Sequence, residues 1–81
     1  MPTVFRFAGL RVVIYSNDHR PAHVHVIGNG NEAVFLLQCP MGPPELRENF
    51  GFTPTGLNRM LAVLMENTGS LCAAWSEIHG N

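Results

Sequence analysis

The first part of the chain alternates between apolar and polar positions, and this period of two is typical of half-buried β-strands. Runs at residues 3–7 and 10–15 are joined by Ala8-Gly9, and further runs lie at 23–27 and 32–38. Between the last two runs, Asn29-Gly30 accepts the positive φ angles of a tight hairpin. The pattern therefore predicts about four antiparallel strands within residues 3–38.

A turn centred on Asn29-Gly30 sets the register of the third and fourth strands. The expected opposed pairs are Ile27–Glu32, His25–Val34 and His23–Leu36. Because opposed residues share a face, one face is wholly apolar and the other carries the histidines. The apolar face is the expected core, with Val24, Val26, Ala33, Phe35 and Leu37. If the first two strands also turn their apolar sides inward, three further residues join the histidine face, namely Arg6, Arg11 and Tyr15.

Helical spacing replaces the alternation in the last third of the chain. Thr53-Pro54 is typical of a helix start, and apolar residues then recur three and four positions apart from Leu57 to Met65. Asn67-Thr68-Gly69 interrupts this pattern, Ser70 is expected to cap a second helix, and Gly80 is expected to end it. The helices are predicted at about 54–79.

Residues 39–52 are predicted to connect the sheet to the helices, and 45–50 fit either a short edge strand or an irregular segment. The whole chain, 1–81, is predicted to form a single domain. Its expected fold class is α+β, with a small antiparallel sheet of about four strands packed on one face by C-terminal helices.

Composition narrows the classes of function. The formal net charge is −1 and no basic stripe is present, which argues against autonomous DNA binding. No signal peptide or membrane span is recognisable, so the expected location is cytoplasmic and no membrane partner is expected. In that compartment Cys39 and Cys72 are expected to be free thiols, and a disulfide between them is the alternative that their spacing leaves open.

The candidate chemistry lies between Ser16 and His25, which holds three of the four histidines and the single aspartate. His23 and His25 are two apart in a strand and share a face, while His19 lies in the loop before it. In the metal interpretation, His19, His23 and His25 bind zinc or another divalent metal that prefers imidazole. Asp18 would be a fourth ligand or would orient one.

The same side chains also suit metal-independent acid–base catalysis on a phosphodiester such as RNA. One imidazole would act as general base and another as general acid. Arg11 or Arg20 would stabilise the charge of the phosphorane, and Tyr15 would donate a hydrogen bond or carry the proton. The predicted catalytic set is then His19, His23, His25, Asp18, Arg11 and Tyr15. A third interpretation is structural, with Asp18 closing a turn and the histidines facing solvent.

The segments 2–7 and 10–15, and above all Asn17-Asp18-His19-x-Pro21-x-His23-x-His25-Val26, resemble the small prokaryotic proteins of the domain of unknown function 4160 family. The resemblance covers roughly Pro2 to Leu37. Two departures are Ala22, where the family usually has a second proline, and Gly69, which breaks a C-terminal helix that relatives tend to keep long and charged.

The resemblance implies one component of a toxin–antitoxin-type pair, encoded beside a second small gene, and some relatives are described as transcriptional regulators. The expected partners are that second small protein or a second copy of this chain, with RNA as the substrate of a cleaving component. A non-enzymatic antitoxin or regulator would instead present residues 45–52 or the helices to its partner.

Overall fold

The computed structural model describes residues 3–80, so both ends of the predicted 1–81 domain lie outside the described residues. The elements in chain order are β1 Thr3–Phe7, β2 Leu10–Val13, β3 His23–Gly28, β4 Asn31–Leu36, β5 Glu45–Phe50, α1 Pro54–Glu66 and α2 Thr68–His79. The strands pair antiparallel in the order β1-β2-β3-β4-β5. The predicted α+β class is confirmed, and the sheet has five strands rather than about four.

The central hairpin of β3 and β4 has the register that the sequence predicts. Its opposed pairs include Ile27–Glu32, His25–Val34 and His23–Leu36. The turn residues Asn29 and Gly30 have φ angles of 54° and 77°, which asparagine and glycine tolerate. This register places His23 and His25 on the face of the sheet opposite the core.

The first hairpin adds two arginines to the histidine face. Arg6 is opposed to Arg11 across β1 and β2, and Arg11 is opposed in turn to Ile27 of β3. The strand β2 ends at Val13 rather than at Tyr15, and Val13 is opposed to His25. The sheet therefore turns Arg6 and Arg11 to the same side as His25, as expected.

The segment 45–50, which the sequence leaves open between strand and connection, forms the edge strand β5. All six of its residues are exposed, and Arg47 has no opposed residue because the register shifts between Val34 and Phe35. A bulge and charged side chains are devices that protect an edge strand from pairing with other chains. Glu45-Leu-Arg-Glu-Asn-Phe50 shows no clear alternation, so its strand conformation comes from pairing with β4.

The two helices cover the apolar face of the sheet, as predicted. The core joins strand residues to helix residues, and its members include Val24, Val26, Ala33, Phe35, Leu37, Leu64, Leu71 and Trp75. Burial of a large apolar side chain stabilises the fold by about 1.5–3 kcal/mol, so fully buried residues such as Phe35 and Leu64 anchor the two layers.

The residues at the helix ends are those that the sequence predicts, with one exception. The Thr53 hydroxyl accepts a hydrogen bond from the Gly56 N–H at 3.0 Å, and Gly80 ends α2 with a φ of 82°. The expectation that Ser70 caps α2 is wrong, because α2 begins at Thr68 after Asn67. The buried Thr68 hydroxyl donates to the Leu64 carbonyl at 3.0 Å, which lets α2 begin directly after α1.

Cys39 and Cys72 form a disulfide that joins the segment after β4 to α2, so the expectation of free thiols is wrong. The segment folds back onto α2, where Gly42 lies against Thr68, and this brings together cysteines that are 33 residues apart in the chain. Within residues 3–80, no helix has the length and apolar character that a membrane span requires.

Candidate metal centre

Asp18 is fixed by a turn that closes at the end of the second strand. The Tyr15 N–H donates to Asp18 Oδ2 at 2.9 Å, and the Asp18 N–H donates to the Tyr15 carbonyl at 3.1 Å. Aspartate readily makes such bonds to its own turn. These two reciprocal bonds hold the carboxylate of Asp18 beside the histidine face of the sheet.

His23 and His25 direct their Nε2 atoms toward this carboxylate. The distance from His23 Nε2 to Asp18 Oδ1 is 3.5 Å, and that from His25 Nε2 to Asp18 Oδ2 is 3.3 Å. The three potential ligand atoms lie within 4.8 Å of one another. The side chains of Asp18, His23 and His25 are only 12%, 10% and 15% exposed. We call these three residues the Asp–His–His centre.

The Nδ1 atoms of both histidines have hydrogen-bond acceptors as partners. His23 Nδ1 lies 2.9 Å from the Pro21 carbonyl oxygen, and His25 Nδ1 lies 2.8 Å from Glu32 Oε2. A carbonyl or a carboxylate oxygen can only accept, so each Nδ1 carries a proton and donates it. In a neutral imidazole the Nε2 atom then carries the lone pair, which is the form that binds a metal.

The result is a convergence of three electron-pair donors. When both imidazoles are neutral and protonated on Nδ1, neither Nε2 atom has a hydrogen to donate. The two Nε2 atoms and the Asp18 carboxylate then face each other without a hydrogen bond between them. A proton on one Nε2 would satisfy one of these contacts, whereas a cation would satisfy all three. Val13 and Val34 lie opposite His25 on the neighbouring strands and are buried. The attraction between the three donor atoms and a cation would therefore act in an apolar setting, where it is stronger than in water.

The other predicted site residues lie at different distances from this centre. The Tyr15 ring contacts the His25 ring edge-on, with 4.9 Å between centroids. Arg11 lies one row along the same face, whereas Arg20 is exposed on the loop. His19 is also exposed and does not belong to the group of converging ligand atoms. The third ligand atom, beside those of the other two histidines, comes from Asp18. The turn bonds of Asp18 direct its carboxylate inward and leave the neighbouring His19 in solvent.

Sequence reasoning did not single out Glu32, although the predicted register contains the signal that could have found it. Glu32 is opposed to Ile27, which places it diagonally beside His25 on one face. The contact of Trp75 with His23, at 5.3 Å between ring centroids, depends on how α2 packs and has no local signal. The same holds for His79, which stacks on Trp75 at 4.0 Å.

Fold and centre together define a small α+β protein with an Asp–His–His cluster on the histidine face of its sheet. The chain belongs to the family described as Domain of unknown function (DUF4160), whose model matches residues 9–76. The match extends well beyond the region of resemblance in the first 37 residues, and it includes every residue of the centre. Neither the curated proteins nor the solved structures contain a match to this chain.

Proposed function

We propose that this protein binds a divalent metal ion of the zinc type through Asp18, His23 and His25. The observation that supports this proposal is the convergence of two Nε2 atoms and one carboxylate, with both Nδ1 atoms already engaged by Pro21 and Glu32. Imidazole and carboxylate ligands suit zinc, and three protein ligands leave a coordination position open, as in catalytic sites.

The charges of the surrounding groups support a divalent ion. Asp18 brings one largely buried negative charge to the site, and Glu32, which is 41% exposed and bonded to His25, brings a second. A doubly charged cation balances these two carboxylates, and the gain is largest for Asp18, because a buried charge without a partner is costly. The hydrogen bond from His25 to Glu32 has the form of the carboxylate–histidine–metal arrangement that fixes ligand orientation in metal sites.

The reaction that we propose for this centre is hydrolysis of a phosphodiester such as RNA. An ion with an open position activates a bound water as the nucleophile. The biological setting is one component of a toxin–antitoxin-type pair, as the family resemblance implies, with the product of the neighbouring gene as partner. A cytoplasmic location belongs to the same proposal, and the Cys39–Cys72 disulfide weighs against it.

A second candidate is metal-independent acid–base catalysis on the same substrate. It is favoured by one observation, the position of His25 between the carboxylates of Asp18 and Glu32. A doubly protonated His25 would donate to both, and such an imidazolium is a general acid. This candidate predicts RNA cleavage that persists in the presence of a chelator.

The test is a zinc titration of metal-free protein, followed by calorimetry and by the melting temperature. We expect one zinc per chain, a higher melting temperature, and an affinity that falls about 100-fold or more in His25→Ala. His19→Ala is the matched control, because His19 is a neighbouring but exposed histidine outside the centre. Equal losses in both variants, or no binding of zinc, iron(II) or nickel(II) by the wild type, would rule the metal proposal out.

A further inference from the structure

Arg6 and Arg11 form an unusual pair on the histidine face. They are directly opposed across β1 and β2, and like charges in this position destabilise an antiparallel pair. Within residues 3–80 neither guanidinium has a carboxylate partner, since every ion pair there involves a histidine. The fold therefore places two cations side by side without an anion between them.

This pair lies next to the Asp–His–His centre. Arg11 is opposed to Ile27, so His25 is its diagonal neighbour on the same face. Diagonal neighbours in an antiparallel pair are about 7–8 Å apart, which is within reach of long side chains. An anion held by the two arginines would thus lie near His25 on the same face of the sheet.

The guanidinium group favours phosphate as that anion. Each arginine offers a planar fork of donors that matches two oxygens of a phosphate, and two opposed forks can grip one phosphate from both sides. The proposed metal would offset the negative charges of Asp18 and Glu32, which lie on the same face as the arginines.

The row that contains the arginines also ends in an exposed aromatic ring. Arg6, Arg11, Ile27, Glu32 and Phe50 are opposed in succession across all five strands. Phe50 is 60% exposed, and three strand spacings of about 4.8 Å separate it from Arg11. Exposed aromatic rings on an open sheet are platforms on which unpaired bases stack.

The row is partly exposed along its length, with Arg6 and Phe50 exposed and the residues between them half-buried. A cavity of about 420 Å³ lies elsewhere, between the first hairpin and α1, where Phe7, Leu10 and Met60 line it. None of the residues of the centre and neither arginine of the pair lines that cavity. A row with cations at one edge and an aromatic ring at the other suits an extended ligand better than a small molecule.

We propose that single-stranded RNA lies across this row, with one phosphate bound by Arg6 and Arg11 and a base stacked on Phe50. The proposal rests on the proposed function in that it names the substrate of the same centre. The contacts of the arginines and of Phe50 with RNA do not themselves require a bound metal.

The experiment measures binding of a short, fluorescently labelled single-stranded RNA by anisotropy over a range of salt concentrations. One phosphate bound by the two arginines predicts a slope of log K against log salt of about −0.7, since each neutralised phosphate on a single strand contributes about −0.7. We expect Arg6→Gln and Arg11→Gln each to weaken binding about tenfold and to make the salt dependence less steep. Phe50→Ala should weaken binding about tenfold with an unchanged slope.

Arg59→Gln is the matched control, because Arg59 lies on α1, away from the histidine face, and its change should leave RNA binding as it is. A wild type without affinity for RNA, or an equal loss in Arg59→Gln, would overturn the proposal. So would a Phe50→Ala variant that binds like the wild type.

Zinc titration of the same variants separates this proposal from the metal proposal. Arg6→Gln and Arg11→Gln should bind zinc like the wild type. The wild type could bind zinc while both arginine variants bind RNA as the wild type does. The RNA proposal would then be wrong and the metal proposal would stand. If the wild type does not bind zinc but both arginine variants lose RNA binding, the RNA proposal stands and the metal proposal is wrong.

Discussion

His25 and Glu32 are joined across the central hairpin by a hydrogen bond of 2.8 Å between Nδ1 and Oε2. The Glu32 carboxylate is partly open to solvent, whereas the imidazole of His25 is largely buried. Through this bond the turn-side end of the hairpin orients the imidazole of His25. The Nε2 atom is therefore directed toward Asp18 with the help of a residue that does not itself reach the Asp–His–His centre.

Glu32→Gln should weaken zinc binding about 10–100-fold, because an outer carboxylate partner orients the imidazole and raises its basicity. Calorimetric titration of the metal-free protein measures the effect. Glu48→Gln is the control, since Glu48 is an exposed carboxylate on the same face, opposed to Val34. A Glu32→Gln variant with the affinity of the wild type would show that this hydrogen bond plays no part in metal binding.

Trp75 should report on occupancy of the centre. It is the single tryptophan, it is buried, and its ring centroid lies 5.3 Å from that of His23. Copper(II), an open-shell ion that imidazole binds well, should quench its fluorescence in a titration that saturates at one ion per chain. The quenching should persist in His19→Ala and be lost in Asp18→Asn. Similar titrations for these two variants would place the copper elsewhere.

The Cys39–Cys72 disulfide should contribute about 3–4 kcal/mol to the free energy of unfolding, because it closes a loop of 33 residues in the unfolded chain. The double variant Cys39→Ser/Cys72→Ser should lose this amount in urea denaturation, and reduced wild type should match it. Protein purified and unfolded without reductant should show no reactive thiol. Two reactive thiols per chain would restore the expectation of free cysteines.

Ala8 has a left-handed backbone conformation, with a φ of 50°, in the turn between the first two strands. An L-residue with a Cβ is disfavoured there, and asparagine before glycine is the preferred sequence for such a hairpin turn. Ala8→Asn should therefore stabilise the protein by about 1 kcal/mol in urea denaturation. The same substitution in a helix, Ala73→Asn, should destabilise it by about 0.6 kcal/mol. A loss of stability in Ala8→Asn would contradict this account of the turn.

The β3–β4 hairpin could be predicted to the residue, because Asn29-Gly30 and the alternation beside it act over short distances. One pair of turn residues fixes the register, and the register fixes the faces of His23 and His25. The same local logic located Thr53 and Gly80 at the helix ends. Where neighbours in sequence decide the structure, sequence reasoning succeeded.

The features that depend on distant parts of the chain could not be predicted in this way. The strand β5 exists because β4 offers an edge, and the disulfide forms because the segment from Cys39 to Pro44 folds back onto α2. The exclusion of His19 from the converging atoms depends on the reciprocal bonds of Tyr15 and Asp18. Composition suggests which residues of this loop are candidates, but the closed turn decides which of them faces inward.

The polar groups that fix the Asp–His–His centre lie between Tyr15 and Glu32, in one loop and one hairpin. Closing a short segment costs little conformational entropy, so these groups can meet as soon as the hairpin forms, ahead of the docking of the helices. The centre is thus a nearly self-contained module in sequence. The helices can change in length and surface charge while the donor atoms keep their arrangement.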